Sequence, residues 1–220
     1  FRGINVTWDG ERNNSSEHMV LLKNGRNWVF EQAEVWGARS YSGLLIVGTP
    51  VNFTVRNLHV HDTYRSNGTH QDHLIYCNCG SGGGVIERNL LVGSANGRGI
   101  KVGTPNDSYP SIANVKIRYN TIVDNRGPSN IQLSYKTSNI TIENNLLVSP
   151  KGGLPNVTAS NLSGGGNNIV RNNIGWDSAG VVENAAKLTD GGGNRQIDPR
   201  LDGAYVPTNP DARNYGHRAP

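Results

Sequence analysis

Residues 139–148, N-I-T-I-E-N-N-L-L-V, decide how the rest of the chain is read. Two alternating apolar residues, an Asn, then apolar–x–Val make up a phrase that recurs. It returns as F-T-V-R-N-L-H-V (53–60), V-I-E-R-N-L-L-V (85–92), V-K-I-R-Y-N-T-I-V (115–123) and N-I-V-R-N-N-I-G-W (168–176). Fainter copies are W-V-F-E-Q-A-E-V (28–35) and F-R-G-I-N-V (1–6). The anchors Asn57, Asn89, Asn120, Asn145 and Asn173 follow at intervals of 32, 31, 25 and 28 residues. A fixed phrase at variable spacing describes a constant coil carrying loops of different length. Each period also holds a second strand: H-M-V-L-L (18–22), G-L-L-I-V-G (43–48), H-L-I-Y-C-N (73–78), G-I-K-V-G (99–103), N-I-Q-L-S (130–134) and N-V-T-A-S (156–160). Alternation is of period two and no helical period is present, so the expectation is an all-β solenoid of parallel strands.

On these phrases the chain resembles the right-handed parallel β-helix proteins of the pectate-lyase-like superfamily, over residues 1–180. The resemblance implies a single-stranded right-handed parallel β-helix of about seven coils. Aligned Asn side chains at a bend can hydrogen-bond up and down such a stack, satisfying backbone groups that no sheet reaches. Val60, Val92, Val123 and Val148, with Leu58, Leu90 and Leu146, are expected in the interior. Residues 181–220 break the pattern. V-V-E-N-A-A-K-L (181–188) is the best helical candidate, and I-D-P-R-L-D-G-A-Y-V-P (197–207) looks like the Asp-Pro…Tyr…Pro closing segment of many secreted bacterial β-helix proteins. This tail is expected to lie along or cap the last coil and hide its edge.

Composition agrees with a narrow core. Of 220 residues only 35% are hydrophobic, while 28 are Gly, which excludes a helical bundle. A net charge of +4, from 21 basic and 17 acidic residues, suits an acidic partner. No basic tract or interleaved aromatic cluster points to nucleic acid. No apolar stretch reaches membrane-spanning length. The chain opens mid-pattern at Phe1, as a processed or trimmed form would. Cys77 and Cys79 lack a second pair for a zinc knuckle, and on one strand their Cα atoms would lie ~6.5–7 Å apart. Packed thiols are therefore expected, with a strained disulfide as the alternative.

Chemistry concentrates between His59 and Lys101. Four of six histidines (His59, His61, His70, His73) stand there with Asp62, Asp72, Arg98 and Lys101. Counting in–out from each Asn gives outward pairs Glu34/Trp36, His59/His61, Leu91/Gly93, Ile122/Asp124 and Leu147/Ser149. On the second strand His73 is expected over Gly99 and Asn130, Ile75 over Lys101 and Gln132, and Asp72 beside Arg98. The insertion D-T-Y-R-S-N-G-T-H-Q-D (62–72) would wall a groove floored by His61, His73 and Lys101. Substrate contacts are expected from Trp36, as a sugar-stacking surface, and from His59, Asp124, Arg126 and Gln132. A metal could take His59 and His61 with Asp62 or Asp72, although no H-E-x-x-H or EF-type spacing supports it.

The resemblance implies a secreted, monomeric chain acting on a polysaccharide, acidic by the charge argument. In a lyase, a cation or Ca²⁺ neutralises the uronate carboxylate and a base removes the neighbouring proton. Arg98 and Lys101 would neutralise, with His73 or His61 as base; strand parity points Tyr76 inward. A hydrolase would instead use paired carboxylates from Asp62, Asp72 and Asp124. The third expectation is a non-catalytic glycan-binding, adhesin or tail-fibre module. G-R-G-I-K (97–101) is similar to the Arg-Ile-Lys motif of polygalacturonases, but their other signatures are absent.

Overall fold

Each short apolar run pairs with its counterpart one coil away rather than with its chain neighbour. The computed structural model, which describes residues 1–8, 17–64, 70–151 and 153–217, is an all-β parallel solenoid of about six turns, against the seven expected. Three sheets form its sides. Sheet 1 stacks Val29–Glu31, Phe53–Arg56, Gly84–Glu87, Val115–Arg118, Thr141–Glu143, Asn168–Arg171 and Leu188–Asp190. Sheet 2 stacks Val6–Thr7, Glu34–Trp36, His59–His61, Leu90–Val92, Thr121–Val123, Leu146–Val148, Ile174–Trp176 and Arg195–Gln196. Sheet 3 stacks Val20–Lys23, Leu44–Val47, Ile75–Asn78, Ile100–Gly103, Ile131–Ser134 and Val157–Ser160. No helix among the described residues is long and apolar enough to cross a membrane.

The interior is a column. Phe30, Val55, Ile86, Ile117, Ile142 and Val170 stand one above another on sheet 1. Val35, Val60, Leu91, Ile122 and Leu147 do so on sheet 2. One glycine is dictated by this packing: a Cβ on Gly84 would meet the Phe53 ring at 2.3 Å.

The bend from sheet 1 to sheet 2 takes two residues. The first is left-handed, with φ of 52–57° at Gln32, Asn57, Arg88, Tyr119, Asn144 and Asn172. The second is the buried ladder position, held by Asn89, Asn120, Asn145 and Asn173. Each Nδ2 donates to the next Oδ1, ending on Asn194, at 2.9–3.0 Å. Asn57 is therefore not an anchor; Leu58 holds that place, and its N–H donates to Asn89 Oδ1.

The tail departs from expectation. Residues 181–188 form no helix; Val182 bridges Val157, and strand pairing continues past residue 180 to Gln196. The segment after it lies along the outside of sheet 2. There Ile197, Leu201, Tyr205, Ala212 and Tyr215 pack on Val123, Leu146, Val148 and Ile174. Cys77 and Cys79 are disulfide-bonded and fully buried, with Cα atoms 5.2 Å apart. The packed-thiol reading placed both on one strand, but the strand ends at Asn78 and the turn brings Cys79 back.

Candidate functional site

Register sorts the expected residues onto two faces. Because Leu58 replaces Asn at the ladder, His59 stands beside Leu90 and His61 beside Val92, one residue from the expected alignment. A one-residue slip reverses every side chain. Leu91, Ile122 and Leu147 therefore point inward, while Leu90, Val92, Val123, Leu146 and Val148 point outward, contrary to the in–out count. The same slip applies on sheet 3: Tyr76, not Ile75, stands beside Lys101 and Gln132, and Ile75 and Cys77 are interior. Tyr76 thus faces outward, and His73, not Asp72, meets Arg98. His61 lies on sheet 2 and His73 leads into sheet 3, so the single groove is really two sites.

The first lies on the outer face of sheet 3. A cavity of about 430 Å³ is lined by His18, Tyr41, His73, Tyr76, Lys101 and Tyr109, among others, and no carboxylate is among its described lining residues. Lys101 Nζ sits 5.3 Å from the Tyr76 ring centre, and His73 meets Tyr76 edge-on at 5.7 Å. Burial, helped by Arg98, lowers the Lys101 ammonium to about 8. Burial pushes the Tyr76 phenol upward, so it stays protonated. The Arg98 backbone N–H donates to His73 Nδ1 at 3.1 Å, which assigns the ring proton to Nε2. Burial, then Lys101 and Arg98, holds His73 well below its ordinary value, so it is a neutral donor at its free nitrogen. His18 is stacked on Tyr41 at 5.3 Å, and its Nδ1 accepts from the Ser42 N–H.

Behind this cavity two buried charged groups are incompletely paired. Arg98 is 8% exposed; its Nε has no partner, and burial lowers it to about 10. Asp72 accepts from Asn96 N–H at one oxygen while the other has no partner. Burial raises it to about 6 against its hydrogen bonds. Its backbone carbonyl accepts from Thr63 and Ser94 hydroxyls, both at 2.6 Å, so Asp72 pins the loop.

The second site is on sheet 2. Glu34 and His59 are register partners, as are Trp36 and His61. The His59 and His61 rings stack at 4.2 Å, and Trp36 lies parallel to His61 at 6.1 Å. Glu34 Oε1 is 3.4 Å from His59 Nδ1 and 3.2 Å from His61 Nε2. Asp62 Oδ2 is 2.8 Å from His61 Nδ1. His59 also lines a cavity of about 590 Å³ with Arg88, Tyr205 and His217, under the tail.

The other expected contacts scatter. Asp124 is a left-handed bend residue ion-paired to Lys151 at 2.9 Å. Arg126 is exposed, its N–H bound to the Ser94 carbonyl. Gln132 stands beside Lys101 on sheet 3, and the exposed His70 rests its Nδ1 on the Asn96 carbonyl. Part of the insertion, residues 65–69, lies outside the described residues. His18, Tyr41 and Tyr109 went unnoticed in the sequence, being remote from the histidine run. Glu34 was seen to face outward but not as a ligand. Comparison with protein-family models, curated proteins and solved structures returns no match.

Proposed function

We propose that the chain is a secreted polysaccharide lyase of the pectate-lyase-like superfamily, eliminating across the glycosidic bond of an acidic glycan at the sheet 3 cavity. The observation that carries this reading is the placement of Lys101 beside Tyr76 and His73 in a cavity whose described lining holds no carboxylate, where burial lowers its ammonium to about 8. A free amine near neutral pH is a competent base. Lys101 Nζ takes the proton beside the uronate carboxylate, the electron pair forms the C4–C5 double bond, and the C4–O bond breaks. Tyr76, protonated beside it, supplies the proton to the departing oxygen. His73 Nε2–H serves the developing carboxylate charge, and the buried Arg98 adds positive potential without touching the sugar. This exchanges the roles first expected of His73 and Lys101, because the Arg98 N–H already occupies His73 Nδ1. The buried Cys77–Cys79 disulfide supports passage through an oxidising compartment.

The test is a panel of alginate, pectate, polygalacturonate, glucuronan and neutral β-glucan, followed by ultraviolet absorbance of unsaturated ends and by reducing ends, with Ca²⁺ or EDTA. Absorbance growth on a uronate polymer, lost in Lys101→Ala, is expected. Reducing ends without absorbance would mean hydrolysis. Binding without turnover would mean a glycan-binding solenoid; either result sinks the lyase reading.

A further inference from the structure

We propose that Glu34, His59 and His61 form a binding site for one divalent transition ion of the Zn²⁺ kind, separate from the sheet 3 cavity. One ligand atom from each of the three lies within 4.8 Å of the others. The fold brings them together: alternation puts both histidines on one face of one strand, and coil stacking sets Glu34 directly beside His59. Two imidazoles and a carboxylate are a donor set that zinc sites use with a fourth position left for water. Ca²⁺ prefers six to eight oxygens and finds too few here.

The surroundings separate this cluster from a chance ion pair. Asp62 Oδ2, 2.8 Å from His61 Nδ1, is placed to accept that nitrogen's N–H, which would leave Nε2, 3.2 Å from Glu34 Oε1, to face an ion. A carboxylate holding the far nitrogen is the usual support of a ligating histidine. Trp36 lies parallel to His61, its ring centre 6.1 Å away. His59 also lines the cavity holding Arg88, so an ion here would border a cleft with a cation for an anionic oxygen ligand.

The experiment is calorimetric titration of chelator-stripped full chain with Zn²⁺, repeated with Ca²⁺ and with Co²⁺ followed by visible absorption. One Zn²⁺ per chain and a tetrahedral Co²⁺ spectrum are expected, with no saturable Ca²⁺ heat. Glu34→Gln and the pair His59→Ala, His61→Ala should abolish both signals while circular dichroism stays unchanged. Asp62→Asn, which touches no ion, should weaken binding about 10–100-fold. Lys101→Ala should bind Zn²⁺ as the wild type does, which keeps this test independent of the lyase reading. Absence of saturable Zn²⁺ binding, or binding unaltered in the double histidine variant, would overturn the proposal.

Discussion

Lys101 and Asp72 show how burial sets the chemistry of single residues. Lys101 is protonated below about 8, so elimination should climb with pH toward that value and then level off. Lys101→Ala should cost about 10²–10⁴ in kcat, the usual worth of a general base. A flat pH profile through that range would contradict the assignment. Asp72 holds its proton more tightly folded, at about 6, than at the ordinary 3.8. Between those values the folded chain carries more protons than the unfolded one, so stability falls as pH rises. Asp72→Asn should flatten that fall, as read from thermal midpoints across the window; an unchanged slope would show that Asp72 does not carry it. Lys101, Arg98 and His73 were visible in the sequence because ionisable groups there stand among Gly, Ile and Asn. The tautomer of His73 was not, since it depends on a backbone N–H from the next coil.

At the scale of the element, the one-residue slip has a physical cause. Alternation reveals a strand's buried face only when the other face is wet. On sheet 2 the tail covers Val123, Leu146, Val148 and Ile174, so L-L-V at 146–148 is apolar on both sides and parity is lost there. The His-Val-His strand keeps its alternation, which is why its outward pair was placed correctly. Leu146→Ala, in the tail's contact cluster, should lower unfolding stability by about 2–5 kcal/mol in urea titration and speed proteolysis of the tail. Loss of stability without faster tail cleavage would mean the tail is held by other contacts. The ladder is the stricter element. Asn145→Ala leaves Asn120 donors and the Ile117 carbonyl unsatisfied, at about 1–3 kcal/mol for each orphaned group. A variant as stable as wild type would show that water replaces the ladder.

For the whole molecule, the repeat phrase was enough to read the architecture, because every coil must bury the same column. The distribution of charge was not legible. Sheet 1 carries Glu31, Arg56, Glu87, Arg118, Glu143 and Arg171 in direct register, an alternating ladder with ion pairs of 2.8 Å. Charge on that side is largely compensated. Sheet 3 instead presents Lys101 with Arg98 behind it, so the modest net +4 understates how cationic that face is.

The most direct measurement is ultraviolet absorbance of unsaturated uronyl ends on the glycan panel, for wild type and Lys101→Ala across pH. The account predicts absorbance that grows with wild-type enzyme, rises in rate toward pH about 8, and is lost in Lys101→Ala. Reducing ends without absorbance, or a Lys101→Ala variant as fast as wild type, would contradict it.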